Sequence, residues 1–292
     1  MKRLSHRAQR TLGRSTEVIG YGMLSGRRIR ARFVPAAAST GVVFVRSDVA
    51  GQPRIPAHIS QVTGTARRTT LGRDRVSVTL VEHVLAALAG LRIDNCLVEL
   101  DGPEPPGLDG SAAAFVTALQ EAGIETQAAV RSVWQVSEPV TVRSPGAVLT
   151  LHPPCQAGLH LSYFLDYGPY SPLGRQVHTQ ELLPSAFVRE LAPCRTFVLE
   201  SEAAELRQAG LGRHLTERDL LVFGRQGPIG NTLRFANEPA RHKVLDMVGD
   251  LSLVGVDLCG HLVAYRSGHP LNVELAQLLY RRLVAALSRV AA

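Results

Sequence analysis

Hydrophobic and polar positions along this 292-residue chain change period more than once, and the same succession occurs in both halves. Short β-branched segments at 11–19, 27–34 and 42–45, separated by Gly22, Gly26, Pro35 and Gly41, predict strands. Residues 65–71 and 75–80 predict a hairpin across Gly72-Arg73-Asp74. The period then lengthens: Val81, Val84, Leu85 and Leu88 predict a helix with Gly90 as its C-cap. A strand at 95–100, a Pro/Gly loop at 101–106 and a helix at 111–122 follow. After a patternless stretch at 125–131, strands are predicted at 132–137, 140–143, 147–152 and 158–167, and a short helix at 185–191. Residues 195–199, 202–208 and 220–223 read as a βαβ insertion within about 193–232. A helix at 238–251, a strand at 261–266 and a helix from 272 to about 290 close the chain.

The repetition extends to residue identities. Glu82-His83 leading to Gly90-Leu91 matches Arg241-His242 leading to Gly249-Asp250-Leu251, and each helix precedes a strand, a Gly turn and a last helix. The turns are Asp109-Gly110-Ser111 and Ser267-Gly268-His269. An internal duplication explains the register. The expected fold class is α+β, with two similar β/α domains at 1–128 and 129–292.

Composition narrows the function classes. The basic start lacks an apolar run, so it does not read as a signal peptide, and no window approaches the ~20 apolar residues of a membrane span. A cytoplasmic protein is expected. Cys96, Cys155, Cys194 and Cys259 are widely spaced and read as small buried residues. A net charge of +7 favours an anionic partner, but the cations are scattered and aromatics are only 5%, which argues against nucleic acid. The C-terminal helix has an apolar side that could lie on a membrane surface; the repeat favours its covering its own sheet.

The chemistry starts on the helix at 238–251. His242, Asp246 and Asp250 fall at i, i+4 and i+8, and a His and an Asp one turn apart can reach one zinc ion. The plain alternative is a solvated helix face. A hydrolytic zinc site needs a third ligand and a base, which His83 and Glu82 of the repeated helix can supply. His269 can act as a general acid oriented by Asp250, or simply cap the last helix. Lys243 can polarise a carbonyl or hold a phosphate.

With these residues assembled, the chain resembles the UDP-3-O-acyl-N-acetylglucosamine deacetylases of lipid A synthesis. The matching stretches are Gln9-Arg-Thr-Leu12, Thr69-Thr-Leu71, Thr79-Leu-Val-Glu-His83, Ala86-Ala-Leu-Ala-Gly-Leu91, Arg92-Ile-Asp-Asn95, Leu108-Asp-Gly-Ser-Ala112, Arg195-Thr-Phe197, Leu233-Arg-Phe235, Arg241-His-Lys-Val-Leu-Asp246, Gly249-Asp-Leu251 and Ser267-Gly-His269 with Leu271-Asn272. The resemblance implies helices sandwiched between two sheets, a small insertion in each domain, and a metal between the domains. It implies Zn2+ on His83, His242 and Asp246, Glu82 as base, His269 as acid oriented by Asp250, and Thr196 at the oxyanion. It further implies substrate contacts at Phe197, Tyr167, Arg266 and Lys243, the last three near the nucleotide. The implied partner is a UDP-linked acylated amino sugar, and a monomer with at most peripheral membrane contact is expected.

Two departures stand out. The family's Gly-Leu-His-Thr-Gly is Gly22-Met-Leu-Ser-Gly26 here, placing Leu24 where the family has His. Its Gly-Gly-Ser segment corresponds to about 212–217, where Arg213, His214 and Glu217 would be unusual linings for an acyl passage. A zinc deacetylase of another N-acetylated sugar, or a non-catalytic zinc- or ligand-binding relative, are the alternative readings.

Overall fold

A computed structural model describes residues 1–291. The N-terminal part runs through β1 (Lys2–Leu12), β2 (Thr16–Tyr21), β3 (Arg28–Pro35), β4 (Val42–Arg46), β5 (Arg54–Pro56), β6 (Val62–Gly64), β7 (Thr70–Arg73), β8 (Val76–Thr79), α1 (Glu82–Gly90), β9 (Cys96–Leu100) and α2 (Ala113–Glu121). The chain continues with β10 (Ile124–Gln135), β11 (Val140–Ser144), β12 (Ala147–His152), β13 (Leu159–Leu165) and β14 (Gln176–Glu181). A short α3 (Pro184–Ala186) runs into a π-helical turn, Phe187–Leu191. Then come β15 (Phe197–Leu199), α4 (Glu200–Gln208), β16 (Leu221–Gly224), β17 (Gly227–Pro228), α5 (Glu238–Ser252), β18 (Asp257–Tyr265) and α6 (His269–Ala291).

The molecule is mixed α and β, with several sheets. One sheet has the order β2-β3-β9-β4-β5, and another is built on β1-β10-β18-β12-β11 with β13 and β14 attached through β18. Strand chemistry explains the faces. In β3, Ile29, Ala31 and Phe33 turn inward while Arg28, Arg30 and Arg32 face water, the period-two pattern of a half-buried strand. The β7–β8 hairpin turns on Asp74 and Arg75, both with positive φ (49° and 67°), the backbone a two-residue type I′ turn requires.

Helices α1 and α5 pack against each other at the centre of the fold. Helix α1 is apolar nearly all round, with Val84, Leu85, Ala86, Ala87 and Leu88 all buried, as expected of a helix with no free face. Helix α5 buries its polar side as well: His242, Asp246 and Asp250 are as enclosed as Val244 and Leu245. The close approach of the two helices requires Gly249, because a Cβ there would collide with the backbone carbonyl of Glu82.

Several sequence expectations are corrected. Residues 11–19 are not one strand: the chain breaks at Gly13-Arg14-Ser15, and β1 extends back to Lys2, pairing with β10 from Lys2↔Gln135 to Leu12↔Ile124. The patternless 125–131 lies inside β10. Much of the β1–β10 ribbon is open to solvent, so its side chains do not alternate in polarity and no period is visible. Gly90 is the last helical residue of α1 rather than a left-handed cap; its missing side chain makes room for the Phe187 ring, and Arg92 takes the positive φ, 58°. Strands β5, β6, β14 and β17 lie outside the predicted elements, and Cys155 is exposed, unlike the other three cysteines. Among the described residues no helix is long and apolar enough to cross a membrane.

Candidate active site

The first turn of α1 carries Glu82 and His83, and one face of α5 carries His242, Asp246 and Asp250. Packing of the two helices brings single ligand atoms of His83, His242 and Asp246 within 4.8 Å of one another. Asp246 Oδ1 is buried, has no hydrogen-bond partner, and lies 3.4 Å from His242 Nε2 and 3.7 Å from His83 Nε2. His242 Nδ1 faces the Cys194 carbonyl at 3.0 Å, which places the proton on Nδ1 and leaves Nε2 with a lone pair. Burial pushes the His242 pKa down to about 4, so the ring is neutral at pH 7. Electron pairs therefore face one another in a water-poor pocket. That arrangement is unfavourable by itself and fits a divalent cation, for which two imidazoles and a carboxylate leave a coordination position free.

Asp246 is held in its charged form. Burial opposes the charge, but Lys243 Nζ at 2.9 Å and the His269 imidazolium outweigh it, and its pKa falls well below the usual carboxylate range. Burial likewise works against the Lys243 charge, and Asp246 more than compensates, raising the lysine above its ordinary value. The ammonium thus occupies Asp246 Oδ2 and leaves Oδ1 free toward the imidazoles. Lys243 also lies 5.4 Å from the centre of the Phe197 ring.

Glu82 and His269 flank this cluster. Burial lifts the Glu82 pKa above its ordinary value, partly offset by the positive charge of His269, while the Thr69 N–H donates to its Oε2 at 3.0 Å. His269 Nε2 lies 4.0 Å from both Glu82 Oε1 and Asp246 Oδ2, and its Nδ1 donates to Asp250 Oδ2 at 2.8 Å. Burial disfavours the imidazolium, yet the Asp250, Glu82 and Asp246 carboxylates prevail and raise its pKa to about 9. A buried carboxyl group and a charged imidazole, the kinds of group that general acid–base chemistry uses, therefore face one space.

That space is a cavity of about 400 Å3. Thr196 lines it, its backbone N–H tied to the Gly110 carbonyl at 2.8 Å. Phe197 and Tyr167 form an aromatic wall with ring centres 6.0 Å apart. Leu24, Leu206, Leu211, Leu215 and Leu220 also line the cavity. Within 212–217, Gly212 and Leu215 line the cavity while Arg213 and Glu217 are exposed and do not, and His214 hydrogen-bonds the Gly22 carbonyl at 3.0 Å, fastening the insertion to the 22–26 loop. Arg266 is not brought into the cavity wall; its guanidinium pairs with Asp166 Oδ1 at 3.0 Å. A larger crevice of about 850 Å3 on the β1–β10 side holds none of the metal-cluster residues and is braced by Arg7 and Arg131 on Asp94 and Asp257.

Sequence reasoning missed the groups that hold these residues. Thr69 and Asn272 both donate to Asp250, at 2.6 and 2.9 Å. Buried Glu238 receives the backbone N–H and the guanidinium of Arg195, fixing the backbone next to Thr196. Thr69 and Asn272 fall within the matching stretches but show no periodic or spacing signal.

The comparisons with known proteins agree with this geometry. The family described as "LpxC: UDP-3-O-acyl N-acetylglycosamine deacetylase" matches residues 9–281. The chain is 39% identical over 274 residues to a protein of Trichormus variabilis named UDP-3-O-acyl-N-acetylglucosamine deacetylase, covering 92% of this chain and 97% of that one. Proteins with the same name from Thermosynechococcus vestitus (94% and 95% covered) and Chlamydia caviae (93% and 96% covered) are each 41% identical.

Proposed function

Since the chain belongs to the UDP-3-O-acyl-N-acetylglycosamine deacetylase family, we propose that it hydrolyses the N-acetyl group of UDP-3-O-acyl-N-acetylglucosamine with Zn2+ held by His83, His242 and Asp246. The observation that carries the metal assignment is Asp246 Oδ1, buried without a hydrogen-bond donor and facing two imidazole nitrogens. When bound, the ion supplies Lewis acidity toward an amide carbonyl and acidifies water in reach.

The chain's own residues do the rest. Glu82 accepts the proton of the attacking water, a role its raised pKa suits. The Thr196 hydroxyl donates to the oxygen that gains charge as the carbonyl is attacked. His269 delivers a proton to the departing nitrogen, and Asp250 keeps that ring charged and oriented. Lys243 holds Asp246 in register and, with Phe197 and Tyr167, borders the substrate. The leucines of the cavity lining support an acyl chain rather than a bare sugar, and the charged side chains of Arg213 and Glu217 are exposed and not among the lining residues.

The same reading includes two related β/α units meeting at α1 and α5, divided near residue 128, and a cytoplasmic, monomeric enzyme of lipid A synthesis. The mutual packing of α1 and α5, each followed by a strand and a further helix, supports the two-unit reading. The test is an acetate-release assay coupled to metal analysis. Acylated UDP-N-acetylglucosamine is expected to be cleaved far faster than the unacylated compound, in proportion to bound zinc. Equal rates would reassign the substrate, and zinc-loaded protein without turnover would sink the deacetylase reading.

A further inference from the structure

Two arginines and a lysine line the cavity, and they differ in what already holds them. Lys243 is committed to Asp246 at 2.9 Å. Arg68 turns its Nε back onto the Thr79 hydroxyl at 2.9 Å. Arg67 has a looser partner: its Nη2 lies 3.6 Å from Glu202 Oε1 across the cavity rim, with the two side chains 52% and 32% exposed. A half-exposed pair at that distance is weak and easily exchanged. Glu202 itself stays in place, because its Oε2 accepts the Leu199 N–H at 3.0 Å and caps α4.

The backbone at Arg67 is also constrained. Its φ is +60°, a conformation that side chains other than glycine, asparagine and aspartate seldom adopt. Two residues on, the Thr69 N–H is bonded to Glu82 and the Thr69 hydroxyl to Asp250. The strained loop therefore hangs from the catalytic carboxylates and projects Arg67 over the cavity, the kind of locally unfavourable geometry that persists where a ligand is held.

We propose that Arg67 binds the diphosphate of the nucleotide sugar, exchanging Glu202 for the phosphate oxygens when substrate enters. The assignment rests on the substrate reading above. A guanidinium makes paired, charge-assisted hydrogen bonds to phosphate, which a half-exposed carboxylate at 3.6 Å cannot match. With Tyr167 and Phe197 lining the same cavity, this anchor fixes which way the sugar points into the metal cluster. Glu202 keeps Arg67 ordered in the free enzyme and is left to solvent on binding.

The experiment is a saturation-transfer NMR titration of the zinc-loaded protein with UDP and with uridine, on the parent and on Arg67→Ala, Arg67→Lys and Glu202→Gln. Arg67→Ala should lose about tenfold in UDP affinity and leave uridine unchanged, with KM for the acylated nucleotide sugar rising by a similar factor and kcat nearly constant. Arg67→Lys should keep part of the affinity as a point charge. Glu202→Gln preserves the helix cap and should tighten UDP by roughly two- to threefold by removing the competitor. Unchanged UDP affinity in Arg67→Ala, equal losses for UDP and uridine, or weaker UDP binding in Glu202→Gln would each overturn the assignment. A parent enzyme that releases no acetate yet shows the Arg67-dependent difference would sink the deacetylase reading alone.

Discussion

Asp250 and His269 form a buried pair, Oδ2 to Nδ1 at 2.8 Å, and every other hydrogen bond to that carboxylate comes from a neutral donor, Thr69 or Asn272. One carboxylate is thereby dedicated to keeping one imidazole charged and fixed in direction. If His269 is the acid, it works while protonated, so its pKa of about 9 sets an alkaline limb on kcat/KM near that pH. Asp250→Asn removes the charge that favours the imidazolium, so the limb should move to lower pH by about one unit or more. The acid limb, from Glu82, should lie above the ordinary carboxylate range because burial raises that group. A pH–rate profile of both proteins reads this directly; an unmoved alkaline limb in the variant would reject the pairing as the cause.

Glu82→Gln keeps the size and most of the packing of a buried residue while removing the carboxylate proposed as the proton acceptor. Turnover should fall by about 10²- to 10⁴-fold with zinc content unchanged by metal analysis. Normal turnover would mean that another group takes the proton.

Asp246→Ala removes one of the proposed metal ligands and also leaves the partly buried Lys243 ammonium without its carboxylate. Zinc retention should drop, and urea unfolding should show a loss of about 1–3 kcal/mol, the cost of leaving a partly buried polar group without its partner. A double change that also replaces Lys243 with Met should recover much of the stability and none of the zinc.

Chelation should lower the melting temperature of the parent, and zinc should restore it in a concentration-dependent way, because a ligand of the native state alone stabilises by mass action. Differential scanning fluorimetry with and without chelator measures the shift. His242→Ala should abolish the zinc response.

Gly249→Ala tests the crossing of α1 and α5. The added methyl meets the Glu82 carbonyl, so the helices must part, with an expected cost of about 1–3 kcal/mol and reduced turnover as Glu82 and His83 move off the cluster. A variant as stable and as active as the parent would show that the crossing is looser than its geometry indicates.

What the sequence determined by itself was local. Helical pitch alone sets His242 and Asp246 one turn apart, adjacency alone sets Glu82 beside His83, and the apolar rows of α1 and α5 announce buried helices. Only the tertiary structure decided which distant groups met these. Thr69 reaches Asp250 across 181 residues, Glu238 holds Arg195 across 43, and His214 fastens the insertion to the 22–26 loop across 192. The exposure of Arg213 and Glu217 outside the cavity lining, the pairing of Arg266 with Asp166, and the strand hidden in the polar 2–12 stretch belong to the same class. The physical reason is common to them. Periodicity reports the geometry of neighbours along one element, whereas contacts across the fold depend on how whole elements pack, and a close approach such as Gly249 on Glu82 leaves no local pattern in the chain.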